Sequence, residues 1–251
     1  MKTNRITGLI AARMGSSRFK GKTLADLGDT PMIEFMIKRV LLSKYVDDIV
    51  IATGKGQEND ILERWCSNQN IKCFRGDDDD VLGRLYAASS EFNLETIVEL
   101  LGDNPFVHSS IIDGCIKLFH ESNCDYVATL TNEYPLAAKN LPRFPIGVRV
   151  QVFNHTVLET CHNLTSHPDH REHATSFIAE NPDIFKSKFL TASGNFASHH
   201  KPEITFAVNR PENLKMLNGI LQLLPAKRNF DVSDALMVLE LNPSLLKLMG
   251  N

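Results

Sequence analysis

The chain has 251 residues, 43% of them hydrophobic and 23% charged, with 27 basic against 30 acidic side chains. That length buries a sizeable core, and no linker, repeat or low-complexity tract divides it, so residues 1–251 read as one domain. A net charge of −3 creates no broad field for nucleic acid or a membrane surface. The N-terminus lacks a signal-peptide apolar core, and no stretch reaches the ~20 apolar residues of a membrane helix. The five cysteines (Cys66, Cys73, Cys115, Cys124, Cys161) are odd in number and form no C-x-x-C pair. Neither a disulfide framework nor a thiolate zinc site is expected, and a reducing cytoplasm is the natural compartment.

The first half alternates strand-like and helix-like segments. Ile6 to Ala11 is a short apolar strand, followed by a basic Gly/Ser loop. Thr30 and Pro31 predict a helix start, Thr as N-cap and Pro in the first position. Ile33, Met36, Ile37, Val40 and Leu41 then recur at helical spacing. Asp48 to Thr53 reads as a strand, 58–69 as a helix, and Ile71 to Phe74 as a third strand. A helix over 81–91, a strand from Thr96 to Leu101, a helix over 109–121 and a strand from Tyr126 to Leu130 follow. Leu136 to Pro145, with two prolines and little periodicity, reads as a mobile connection. Beyond it come strands near 147–152 and 204–208, and helices near 155–162, 171–180, 211–223 and 232–249. Near-continuously apolar strands alternating with helices predict an α/β fold with a mostly parallel sheet covered on both faces. Ligands of such sheets sit beyond the carboxyl ends of the strands, which here selects the loops 12–23 and 102–108.

The first of these loops carries Arg13, Arg18, Lys20 and Lys22 among Gly15, Ser16, Ser17 and Gly21. Small residues let backbone N–H groups approach an anion, and clustered cations suit a triphosphate. The alternative is a flexible basic surface loop. Gly21-Lys22-Thr23 is not a P-loop, because the required earlier glycine position is Ser16, and no G-x-G-x-x-G occurs in the loop.

The stretch from Ala12 to Val40 resembles the opening signature of cytidylyltransferases of the spore-coat-polysaccharide-F type, relatives of the acylneuraminate and ketodeoxyoctulosonate cytidylyltransferases. The likeness continues through Phe74-Arg75-Gly76, Val81-Leu82-Gly83-Arg84, Gly102-Asp103-Asn104-Pro105, Arg171-Glu172-His173 and Val208-Asn209-Arg210-Pro211-Glu212, in family order. The resemblance implies a GT-A-like (Rossmann-like) nucleotidyltransferase fold with a mostly parallel mixed sheet. It implies a homodimer, with 131–200 as the dimerisation or acceptor region. The implied reaction moves CMP from CTP to a small-molecule acceptor and releases pyrophosphate. Ala11, Ala12, Arg13, Met14, Gly15, Ser16, Arg18, Lys22, Arg84 and Asp103 then carry over as nucleotide contacts, with Arg18, Lys22 and Asp103 catalytic. Asp103 would hold Mg2+, a hard cation that takes one or two carboxylates plus phosphate oxygens. Without the resemblance, Gly102-Asp103-Asn104-Pro105 is ordinary turn chemistry.

Three departures from the family pattern stand out. Asn209 replaces an aspartate and remains a metal candidate through its amide oxygen. Arg149 and Gln151 stand where a D-x-E is usual, which favours an anionic acceptor. Glu99 stands where an arginine is often found. Arg149, Gln151, Arg171, Glu172 and His173 are therefore the acceptor-side residues.

The run Asp77 to Asp80 admits a metal-binding D-x-D, but repulsion between such close charges favours a solvated loop, with Asp80 capping the next helix. His167, His170 and His173 fit no standard zinc spacing and read as a polar helix start. His199 and His200 are expected at the surface, and Trp65 in packing. Two competing functions remain: a GT-A glycosyltransferase using a finished sugar nucleotide, and a nucleotide-binding relative that has lost catalysis.

Overall fold

A computed structural model describes residues 5–133, 140–225 and 229–250. Its strands are β1 (Ile6–Ala11), β2 (Asp26–Leu27), β3 (Thr30–Pro31), β4 (Asp48–Gly54), β5 (Lys72–Gly76), β6 (Thr96–Leu101), β7 (Tyr126–Thr129), β8 (Gln151–Asn154) and β9 (Ser187–Leu190). Its helices are α1 (Met32–Val40), α2 (Asp60–Asn68), α3 (Val81–Glu91), α4 (Ser109–Glu121), α5 (His155–Leu164), α6 (Pro168–Glu172), α7 (Ser176–Glu180), α8 (Pro211–Leu223), α9 (Val232–Leu241) and α10 (Pro243–Leu246).

Among the described residues the main sheet has seven strands in the order β5-β4-β1-β6-β8-β7-β9. The run β5-β4-β1-β6 is parallel throughout. Strand β8 then enters antiparallel to both β6 and β7, and β9 pairs parallel with β7. Side chains alternate between two cores, as the pleat requires. Ile10, Ile49 and Ile51 face the core built with α1, α4, α8 and α9, whereas Leu9, Val50 and Ala52 face the one built with α3 and α5. Burial on both faces is why these strands read as unbroken apolar runs. The ends of β1 and β6 meet at one edge, where Gly102 N donates to Ala11 O at 2.9 Å.

Several boundaries differ from expectation, each for a local reason. Pro31 itself precedes the first helical residue, because Thr30 and Pro31 are drawn into pairing with Leu27 and Asp26. The helix expected over 171–180 is broken at 173–175 into α6 and α7. The one expected over 232–249 breaks at Asn242, since Pro243 cannot supply an N–H to continue it. The apolar run 204–208 is not a strand. Apart from one bridge between Thr205 and Ile146, its donors serve loops: Phe206 N reaches Ile146 O and Val208 N reaches Asp103 O. Residues 147–150 precede β8 rather than belonging to it. Strand β9 was not foreseen.

Of the connection from Leu136 to Pro145, residues 136–139 lie outside the described residues. Its last part is anchored rather than mobile: Phe144 is fully buried, and Phe144 N donates to Leu130 O at 2.8 Å. His199 is likewise buried, not at the surface. Its imidazole pairs with Asp231, which caps α9, and packs against Phe144 and Phe196. Burial alone would raise the Asp231 carboxyl, but bonds from His199 and Ser233 hold it well below the usual range. Trp65 packs against the core from a partly buried position, as expected.

Candidate active site

The loop after β1 folds back on itself, with Gly21 N donating to Met14 O at 2.9 Å. Gly21 has φ 75°, a left-handed conformation that a side chain would strain. Thr23 Oγ1 ties the loop's exit to its entry through Arg13 O at 2.8 Å. A cleft of about 300 Å³ opens where this loop, the ends of β1 and β6, and the start of α3 converge. Gly102 is required there: a Cβ at that position would lie 2.7 Å from the Ala12 Cβ.

Ala11, Ala12, Arg13, Ser16, Arg18 and Lys22 line this cleft, as expected. Arg84, Asp103, Glu172, His173 and Asn209 join them from distant parts of the chain. Met14 and Gly15 turn away from it. Met14 N is taken by the buried Asn59 Oδ1 at 2.8 Å, and Gly15 packs beside Glu58. Lys20 is exposed outside the cleft, so three of the four loop cations face the ligand space. Ser17, Thr23 and Val81 also line it, and sequence reasoning named none of them as contacts.

Of the loop cations, Lys22 is the most firmly held. Lys22 Nζ donates to Asp103 Oδ2 and to Val208 O, each at 2.8 Å, and its side chain is 11% exposed. Arg18 Nη2 donates to Asn209 Oδ1 at 3.2 Å. Arg13 and Arg84 share the Asp78 carbonyl, at 3.4 and 3.2 Å. Burial, aided by the nearby Arg13 charge, pulls the Arg84 pKa below its usual value. Buried Arg84 Nε finds no acceptor among the described residues. Two guanidinium groups held close without a shared carboxylate form a setting that an anionic ligand relieves.

The aspartate run is spent on structure. Asp77 accepts from the backbone of Asp79 and Asp80, and Asp78 accepts from Gly56 N. Asp80 caps α3 and pairs with Arg171. Arg171, expected to touch the acceptor, is thereby committed to Asp80 and to His162, pinning α6 against α3. Its neighbours Glu172 and His173 face the cleft as a result. His170 pairs with Glu180 and Thr165.

A second, larger cavity of about 990 Å³ adjoins the first through His173. Arg149, Glu133 and Thr175 stand on its wall, opposite Ile178, Phe185 and Phe189. Arg149 Nη2 donates to Thr175 Oγ1 at 2.9 Å and to Gln151 Oε1 at 3.1 Å, while Glu133 lies 3.7 Å from Nη1. Gln151 is fully buried, so it supports Arg149 rather than touching a ligand. Its amide is engaged by Tyr126 and by Glu99, its register partner on β6.

Burial pushes the Glu99 carboxyl above its usual range, and Arg149 only partly offsets this. An acid whose folded pKa is raised leaves the protein fully stable below its ordinary value of 4.5 and costs stability as pH rises through the folded value. Glu99→Gln keeps an acceptor for Gln151 but removes that cost. It is expected to be more stable than wild type at pH 8, with the gain vanishing near pH 4. Urea unfolding at both pH values checks this; a loss at pH 8 would mean the ionised carboxylate is stabilising.

The family model for cytidylyltransferases matches residues 7–234. The chain belongs to the cytidylyltransferase family. It is 29% identical to the spore coat polysaccharide biosynthesis protein SpsF of Bacillus subtilis, over 96% of each chain. Identity is also 29% to a 3-deoxy-manno-octulosonate cytidylyltransferase of Bdellovibrio bacteriovorus, over 55% of this chain and 54% of that one. A solved cytidylyltransferase from Leptospira borgpetersenii superposes with a TM-score of 0.86 at 25% identity, covering 99% and 98% of the two chains. This cytidylyltransferase therefore has the nucleotidyltransferase fold and is a CTP-dependent nucleotidyltransferase by family.

The donor set of the cytidylyltransferase cleft fits a divalent ion of the magnesium type. Asp103 would offer one carboxylate and Asn209 one amide oxygen, both hard ligands lining the same cleft. Alone they are too few to complete a coordination sphere, so phosphate oxygens must supply the remainder.

Proposed function

We propose that this cytidylyltransferase moves CMP from CTP to an acidic small-molecule acceptor, most simply a sugar acid, with release of pyrophosphate. The observation that carries the reading is the fixed Lys22–Asp103 pair, flanked by Arg13, Arg18 and Arg84, at the carboxyl ends of β1 and β6. The triphosphate lies along the loop, with Arg84 Nε among the donors that the anion satisfies. An acceptor oxygen attacks the α-phosphorus; the bond from that phosphorus to the bridging oxygen breaks, and pyrophosphate leaves toward Arg18 and Lys22. These cations are in place before charge moves, which is where most of the rate comes from. A magnesium ion held by Asp103 and Asn209 would screen the α-phosphate charge from the incoming oxygen.

The acceptor occupies the larger cavity, its anionic group exchanging with Glu133 for the guanidinium of Arg149. That pairing, at 3.7 Å, is longer than the Arg149 bonds to Thr175 and Gln151, and so readier to exchange than they are. Glu172 and His173 stand at the junction of the two cavities. Residues 131–200 are proposed as the acceptor and homodimer region within a single domain. Five free cysteines suit the reducing cytoplasm as the site of action. Among the described residues no helix is long and apolar enough to cross a membrane. The glycosyltransferase alternative loses its main support, because Asp77, Asp78 and Asp80 are engaged within the fold.

Melting the protein with each of the four nucleoside triphosphates and magnesium tests the reading. CTP at a hundredfold excess over its Kd should stabilise by about 2.7 kcal/mol, and the others by far less. A panel of sugar acids should then give pyrophosphate release with at least one member. Equal shifts from all four nucleotides, with no release from any acceptor, would sink the proposal.

A further inference from the structure

We infer that the protein side of the metal site is a half-site that Lys22 and Arg18 keep closed to free divalent cations, so that a single ion enters only on the nucleotide. The inference rests on the reading that the cleft binds CTP. Both oxygens a metal would use already accept a bond from a cationic side chain. Lys22 Nζ sits 2.8 Å from Asp103 Oδ2, and Arg18 Nη2 sits 3.2 Å from Asn209 Oδ1. Lys22 is held within the cleft, its side chain 11% exposed, whereas Arg18 reaches Asn209 from an exposed position. Lys22 is anchored a second time on Val208 O at 2.8 Å, which keeps its ammonium over the carboxylate. Asn209 is held from behind, its backbone N donating to Asn213 Oδ1 at 3.1 Å.

The local charge decides the order of binding. Asp103 contributes one negative charge and Asn209 none, against one positive charge each from Lys22 and Arg18. A free dication therefore meets a net positive site and must also break an existing ion pair. Charges of like sign at such distances repel even in a well-screened protein environment. A bound triphosphate reverses the sum: its oxygens take over Lys22 and Arg18 and release Asp103 and Asn209 to the ion. An aspartate at 209 would have left a carboxylate able to hold metal beforehand, and possession of the amide is what makes the site dependent on its substrate.

Manganese, read by its electron paramagnetic resonance signal, is the probe, titrated with and without a non-hydrolysable α,β-methylene analogue of CTP. Wild type should leave manganese free up to the millimolar range without nucleotide. With the analogue it should hold one ion per bound nucleotide, the one the nucleotide carries, and none beyond it. Lys22→Met and Asn209→Asp should each bind manganese at least about tenfold tighter without nucleotide, the first by unmasking Asp103 and the second by adding a charge. If Lys22→Met does not fold, Asn209→Asp carries the test alone. Micromolar manganese binding by nucleotide-free wild type, two ions per chain with the analogue, or no gain in either folded variant would overturn the inference and leave the proposed function standing. Failure of the analogue to bind at any manganese concentration would overturn both.

Discussion

Asp103→Asn is expected to lower CTP turnover by about two to three orders of magnitude, the cost typical of removing one preorganised electrostatic partner. The substitution keeps the shape of the side chain and removes its charge. Lys22 retains Val208 O as a partner, and the backbone bond from Val208 N to Asp103 O at 2.8 Å is untouched. The Asp103 side chain is 26% exposed, and a pair open to solvent in this way contributes about 1 kcal/mol or less to folding. The variant should therefore melt within a few degrees of wild type while failing at the chemical step. Pyrophosphate release, measured with whichever acceptor wild type accepts, is the readout. Turnover within tenfold of wild type would remove Asp103 from the machinery.

Arg39→Met should be the most destabilising of the changes considered, at about 3–5 kcal/mol. Arg39 is wholly buried on α1, on the side of the sheet opposite α3 and α5. Its guanidinium donates to Val107 O at 3.0 Å, Phe230 O at 3.1 Å and Phe106 O at 3.3 Å. It also lies 4.0 Å from the centre of the Phe230 ring, within an aromatic group that includes Phe35, Phe106 and Phe206. Methionine fills much of the volume but leaves three carbonyls without this donor, in a place water enters only by opening the core. The midpoint of urea unfolding measures the loss. A change below about 1 kcal/mol would mean those carbonyls are satisfied another way.

The parallel half of the sheet was legible because its strands are buried on both faces and so appear as plain apolar runs, as in β1, β4 and β6. Helices α3, α4 and α8 showed equally well, since their apolar spacing and N-terminal punctuation are local properties. What escaped depends on partners far along the chain. Strand β9 is short and lies at a sheet edge, with Ser187 and Lys188 followed by Phe189 and Leu190, so no alternation marks it as a strand. The segment 204–208 has strand composition, yet its backbone bonds go to Ile146 and Asp103 instead of a ladder. The phosphate loop was readable because its cations are contiguous. The direction each one faces was not: Lys20 points out and Met14 turns to Asn59 for tertiary reasons. Arg149 and Gln151 looked like a matched pair of acceptor contacts. Only cross-sheet register shows that Gln151 lies opposite Glu99 and is consumed there.

Lys22 meets Val208 across 186 residues of sequence, and this distance has a consequence for how the molecule is made. A chain emerging from the ribosome can lay down β1, β4, β5 and β6 once roughly its first hundred residues are free, because their contacts are comparatively local. The ammonium of Lys22 then has its carboxylate but not its carbonyl, and Asn209 has yet to be synthesised. The Lys22 and Arg18 contacts of the cleft are thus completed late, after roughly four-fifths of translation, when the segment 204–209 closes onto the sheet. A partly made chain presents a scaffold whose cation cluster is unfinished until the C-terminal fifth has docked.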